Sequence, residues 1–168
     1  MSTMYVNRVQ ELNVGSGVHI PGHMVQHATA ISTGVLDTQS SSYSDLPGMT
    51  ITFTPKFATS HLFITVTNHI FKQQSSGWQS AGVQVYRGST VIMTEGSYGQ
   101  GANYNDTSVD RHMEYVTRHF FDVPNSTSAL VYTVKGAKIQ GASDGVNMVF
   151  NNPGYGNGGR LTIMEIAQ

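Results

Sequence analysis

The sequence predicts an all-β domain, an antiparallel jelly-roll-like β-sandwich. Three observations predict it. First, the stretch HLFITVTNHIF, His61–Phe71, alternates: Leu62, Ile64, Val66 and Ile70 share one face, and His61, Thr65, Thr67 and His69 the other, with Phe63 and Phe71 as apolar exceptions. Period-two alternation rich in β-branched and aromatic residues specifies a long, half-buried strand. Second, segments of the same kind recur between turn clusters, roughly nine or ten strands in all, as in a sandwich or barrel. Third, helical and strand patterns do not alternate, which argues against a parallel α/β fold.

Residues 1–21 stand apart. Tyr5, Val9 and Leu12 have near-helical spacing, while Val6, Leu12 and Val14 fit alternation, and Gly15, Gly17 and Pro21 interrupt both. The segment reads as an extended N-terminal anchoring arm, with a first edge strand as the alternative, and residues 22–168 read as the sandwich domain. In GHMVQHATAI, Val25, His27, Thr29 and Ile31 fall on one strand face and Met24, Gln26, Ala28 and Ala30 on the other. The polar connection STGVLDTQSSSYSDLPG follows. Its Leu46-Pro47-Gly48 is a turn signal, because proline presets φ and glycine tolerates positive φ. MTITFTP is a strand with Ile51 and Phe53 inward, stopped by Pro55, which cannot donate to a ladder.

After the His61–Phe71 strand, KQQSSGWQSAG reads as a loop carrying Trp78, the single tryptophan. VQVYRG and VIMTEG form a hairpin turning near Gly88-Ser89. SYGQGANYNDTSVD reads as a long Gly/Asn loop with Tyr98 and Tyr104. HMEYVTRHFF is a strand with Met113, Tyr115 and Phe121 on one face and Val116 and Phe120 on the other. DVPNSTS is a turn cluster, and ALVYTVKGAKI a strand in which Gly136 reads as a bulge. VNMVF is a short strand, and NNPGYGNGG a loop holding Tyr155. RLTIMEIAQ is apolar on both faces, as a central strand would be.

Composition removes several function classes. The chain has 168 residues, enough to bury roughly 70% of its unfolded surface in one domain. It has no cysteine, hence no disulfide framework, thiol nucleophile or Cys-based zinc site. Charged residues make up 11% and the net charge is −1, so no basic footprint for nucleic acid exists. No apolar run approaches the ~20 residues of a membrane-spanning helix. MSTMYVNRVQ lacks the basic-then-apolar pattern of a signal peptide, which predicts synthesis in a cytoplasm without secretion.

Candidate chemistry is sparse. His19, His23 and His27 recur at a spacing of four and share strand parity; near an oligomer axis they could ring an ion, and the plain alternative is a solvated strand face. Asp106, Asp110 and Glu114 offer oxygen ligands at the same spacing but lack the EF-hand layout, which leaves calcium as an open alternative. His112-Met113-Glu114 matches the H-x-E of zinc deaminases but has no P-C-x-x-C partner. GSYGQG is not a phosphate-binding glycine pattern, and no G-x-S-x-G elbow occurs. Asn105-Asp106-Thr107 and Asn125-Ser126-Thr127 match the glycosylation sequon, which matters only on a secretory route. No catalytic residue, cofactor or metal is therefore expected, and the chain does not read as an enzyme. Trp78, Tyr98, Tyr104 and Tyr155, aromatics in Gly/Asn-rich stretches, are candidate receptor-contact residues, with packing between loops as the alternative.

Several stretches resemble small β domains of bacteriophage virion proteins, especially from marine phages, of the tail-fibre-like or receptor-binding-like type. They are GHMVQHATA with SSSYSDLPGMTITFTP, then ATSHLFITV, VQVYRGSTVI and FFDVPNSTSALVYTVKG, and the terminal GGRLTIMEIAQ. The resemblance covers about residues 22–168. It implies a jelly-roll-like sandwich, a homotrimer and a place on the outside of a virus particle. It carries no catalytic residues. The chain shows no fibre shaft and no internal repeat. A short arm on a globular head fits a capsid decoration (cement) protein bound to the major capsid protein, with Tyr5, Val6, Val9, Leu12, Val14 and Ile20 as arm contacts. The alternative is a tail-fibre or head-fibre tip that binds a host cell-surface glycan or protein.

Overall fold

The computed structural model describes residues 20–73, 77–94, 100–105, 111–140, 147–155 and 158–168; for 72–73, 77–79, 100–105, 111–112, 140 and 155 it describes the backbone alone. Eleven strands follow in order: β1 (Met24–Ile31), β2 (Leu36–Thr38), β3 (Ser44–Phe53), β4 (His61–Gln73), β5 (Gly77–Arg87), β6 (Thr90–Thr94), β7 (Gln100–Asn105), β8 (Arg111–Asp122), β9 (Leu130–Gln140), β10 (Met148–Phe150) and β11 (Arg160–Ile166). A short 3-10 turn, Pro153–Tyr155, precedes β11. No α-helix occurs among the described residues.

The strands form two antiparallel sheets. In the first, β4 is the axis. β8 runs along one edge of β4, and the other edge is shared by β11 (opposite residues 61–67) and β10 (opposite 70–72). β1 pairs β11 and β2 pairs β10. In the second sheet β3 pairs β9, β9 pairs β5, and the far edge of β5 carries β6 and β7. The principal order is thus β1-β11-β4-β8 facing β3-β9-β5-β6. Here the antiparallel pairs are nested: β5 with β6, β4 with β8, β3 with β9, β1 with β11. A long hairpin rolled up on itself has this pairing, and it is the jelly roll, built of two Greek keys.

Alternation fills the space between the sheets. Leu62, Ile64 and Val66 of β4 and Leu161 and Ile163 of β11 meet Val83 and Val85 of β5 and Tyr132 and Val134 of β9, all at most 1% exposed. The long strand predicted from His61 to Phe71 and the central position predicted for RLTIMEIAQ are both observed. So is the hairpin, where Arg87 pairs Thr90 and Gly88 adopts φ 59°.

Four local expectations are corrected. Leu46-Pro47-Gly48 does not reverse the chain. β3 runs through it as a large bulge, with residues 46–49 opposite Val134 alone, because Asp45 pairs Lys135 and Thr50 pairs Thr133. The Pro47 carbonyl accepts from Thr33 N at 3.0 Å and Ser32 Oγ at 3.1 Å. Gly48 has φ 78°, and a Cβ there would lie 2.7 Å from Thr33 N, so glycine is required. Gly136 is not a bulge; it lets Phe150 and Leu46 pack onto the β9 backbone, and the register shift of β9 falls instead at Ile139. The polar connection holds a short strand, β2. Finally, Trp78 and Tyr104 do not lie in loops. They are register partners in β5 and β7, because pairing with a long neighbour overrides the weak strand propensity of a Gly/Ser/Asn-rich stretch.

Three buried polar knots hold the sandwich. Glu165, 0% exposed, accepts from Gln26 Nε2 (2.7 Å), Lys56 N (2.9 Å) and Phe57 N (3.1 Å), tying β11 to β1 and to the β3–β4 connection. Asp122 on β8 accepts from Arg87 (2.7 Å) and from the Tyr132 hydroxyl (2.8 Å), joining the two sheets. Burial, and then the hydrogen bond to Asp122, push the Tyr132 hydroxyl pKa up. Asn151, at φ 57°, donates its N–H to His69 O (2.8 Å), and its Oδ1 accepts from His69 N (3.0 Å), fixing the start of the β10–β11 connection.

Candidate functional site

The outward face of the β4 sheet is the most distinctive surface among the described residues. Cross-strand partners share a face and touch, so the register reads out its rows directly. One row is Met24, Ile166 and His61. The next is His27, Met164, Phe63 and Phe121, and then Thr29, Thr162, Thr65 and His119. A fourth is Ile31, Arg160, Thr67 and Thr117, and beyond it His69 pairs Tyr115.

The first two rows are apolar apart from His61 and His27. Phe121 is 60% exposed and Met24 54%. Phe63 packs on Phe121 (ring centroids 5.1 Å) and stacks on His119 (5.7 Å), and His61 meets Phe121 edge-on (6.2 Å). Met24 joins this row through a bulge. It pairs Ile166 while Gln26 pairs Glu165, so one extra residue separates the face of Met24 from that of Gln26. The expected grouping of Met24 with Gln26, Ala28 and Ala30 is corrected accordingly. The same bulge throws His23 out of phase with His27, so they do not line one strand face. Just before β1, Pro21 and Gly22 (φ 84°) make a turn closed by His23 N donating to Ile20 O at 3.0 Å. Residues 20–23 therefore lead into β1 beside these two rows.

The third row is hydroxylic, and the fourth adds a threonine pair. Thr29 Oγ1 lies 3.2 Å from Thr162 Oγ1 and Thr65 Oγ1 3.0 Å from His119 Nδ1 in the third, and Thr67 Oγ1 3.1 Å from Thr117 Oγ1 in the fourth. At the far end Thr67, Tyr115, Gly158 and Arg160 line an open cavity of about 310 Å³. Beside it His69 is buried, 1% exposed, with its ring 4.9 Å from that of Tyr115. Neither of its ring nitrogens has a hydrogen-bond partner among the described residues. Burial lowers its pKa and keeps it neutral. The sequence set His69 on the polar, outward side; it faces that way but is covered.

Other predicted site residues fall elsewhere. Tyr5, Val6, Val9, Leu12, Val14, His19, Tyr98, Asp106 and Asp110 lie outside the described residues, while Ile20 opens the turn before β1. The Tyr155 backbone ends the 3-10 turn. Glu114 lies on β8 opposite Ile70. Among the described residues no three His, Cys, Asp or Glu side chains converge. The sequence reading singled out neither Phe121 and Tyr115 nor Arg160. Its one signal was that β8 is apolar on both faces, more than a half-buried strand needs.

No family model matches the chain, and no curated protein matches it. Among solved structures it is similar to infectious bursal disease virus, Gt strain (TM-score 0.45, 11% identity, 96% of this chain and 42% of that one). It is also similar to the VP2 protein of that virus in derived T=1 particles (TM-score 0.46, 11% identity, 100% and 44%). Dimeric latent PorU from Porphyromonas gingivalis matches at TM-score 0.42 with 12% identity, over 90% of this chain and 14% of that one. The chain spans less than half the length of these proteins. A viral and a bacterial protein overlap it about equally, and at such scores the likeness carries no functional argument.

Proposed function

We propose that the chain is a non-enzymatic structural protein of a virus particle, and within that class a capsid decoration (cement) protein on the particle surface. The observation that carries this reading is the apolar patch of Met24–Ile166 and Met164–Phe63–Phe121, exposed at Met24 and Phe121 and half-buried between them, beside residues 20–23 that lead into β1. Exposed contiguous apolar surface of this kind suits burial against another protein. The jelly-roll strand order and the resemblance of residues 22–168 to phage virion domains support the virion context. The major capsid protein is the proposed partner, and three copies in a homotrimer would multiply the effective concentration of each contact.

The test is co-sedimentation of the purified protein with capsids that lack it. Phe121→Ser should weaken binding about tenfold, the equivalent of ~1.5 kcal/mol of lost aromatic burial, and removal of residues 1–19 should abolish it. Undiminished decoration by both variants would sink the reading. A second reading, a fibre tip bound to a host receptor, is favoured by the Arg160–Tyr115 cavity at the other end of the same face. Saturable binding to host cells and not to capsids would select it.

A further inference from the structure

We propose that the cavity between Thr67, Tyr115, Gly158 and Arg160 is a saccharide site selective for a carboxylated sugar, such as a hexuronic or sialic acid. Arg160 points to the carboxylate. Arg87 is paired with Asp122 and Lys135 with Asp45, but Arg160 has neither an ion pair nor a side-chain hydrogen bond among the described residues. No described acid lines the cavity. A guanidinium presents a planar fork of donors that matches a carboxylate with two parallel hydrogen bonds.

Tyr115 points to the sugar ring. It is 57% exposed, and the buried His69 ring supports it at 4.9 Å. An aromatic face held in this way offers apolar area at low entropic cost, suited to the C–H face of a pyranose. The Thr67–Thr117 pair adds hydroxyls that donate or accept as a sugar hydroxyl requires. All of these groups stand on paired strands: Arg160 opposite Thr67, Thr67 opposite Thr117, and Tyr115 opposite His69. The volume lies at the lower end of the range for small-molecule pockets, the scale of one sugar unit. A bare inorganic anion would use Arg160 and leave Tyr115 idle.

The experiment is isothermal titration of the full chain with glucuronic, galacturonic and N-acetylneuraminic acids, with glucose, galactose and free glutamate as references. At least one acidic sugar should bind saturably, and about tenfold or more tighter than the neutral sugars and glutamate. Arg160→Met and Tyr115→Ala should each weaken it about tenfold or more, with unchanged circular dichroism, while Phe121→Ser leaves it intact. Absence of saturable binding, equal binding of glucose, or binding that survives Arg160→Met would overturn the assignment. Glutamate binding as tightly as the sugars would reduce the site to a plain carboxylate site and overturn it too. The site does not depend on how the protein is anchored. Arg160→Met should still sediment with capsids, so either idea can fail alone.

Discussion

The two ends of the outer face of the β4 sheet are built on the same strands and finish in opposite chemistry. At one end Met24, Met164, Phe63 and Phe121 stand in two neighbouring, largely apolar rows; at the other, Thr67, Arg160 and Tyr115 line an open cavity. The support beneath them differs as well. The apolar end rests on two carboxylates that each accept several hydrogen bonds, Glu165 and Asp122. The cavity end rests on Asn151 and on a buried His69 whose ring nitrogens have no hydrogen-bond partner among the described residues. The proposed roles fit this difference: a docking surface gains from a stiff foundation, and a small-ligand site tolerates a looser one. β4, β8 and β11 run through both ends, so the difference lies in their side chains and in the β1 bulge that turns Met24 outward.

That contrast can be broken at its stiff end first. Asp122→Ala leaves the Arg87 guanidinium and the buried Tyr132 hydroxyl without their acceptor and should cost about 3 kcal/mol. A denaturant titration reads it, and a loss under about 1 kcal/mol would mean that the two sheets hold without this tie. The loose end should respond less and with a different signature. Burial lowers the His69 pKa, so between that lowered value and about 6.5 the unfolded chain binds more protons than the folded one. Stability should therefore fall as pH drops below about 6.5, by at most ~1.4 kcal/mol per pH unit. His69→Phe should remove that slope at little or no cost at neutral pH, since no side-chain hydrogen bond is lost. An unchanged slope in the variant would assign the pH dependence to another group.

Much of this architecture was legible in the sequence. The His61–Phe71 strand, the central β11 and the β5–β6 hairpin each announce themselves by alternation or a turn. What was hidden depends on residues far apart in the chain. β7 looks like a loop until Gly77–Ala81 pairs with it. The bulges at Val25 and at residues 46–49 are set by the partner strand, and the Val25 bulge alone decides which way Met24 points. In β8, Met113, Tyr115 and Phe121 were correctly grouped on one face, but Val116 and Phe120 make the opposite face equally apolar. Only the sheet's position against its partner shows which is covered. Arg160 could not be singled out, because its neighbours Thr67 and Tyr115 arrive from other strands.

The nested pairing has a kinetic corollary. β5 and β6 meet across Gly88 with almost no chain to close, whereas β1 and β11 join segments from opposite ends of the domain. Closing a long loop costs entropy before any contact repays it, but each inner pair shortens the loop left for the next. The roll should therefore zip outward from its tip. In pulsed hydrogen exchange during refolding, the Val85 and Met93 amides would gain protection first and those of Ala28 and Ile163 last; the reverse order would rule out zipping. The apolar row, which needs β1, β11, β4 and β8 together, would then be among the last surfaces to form.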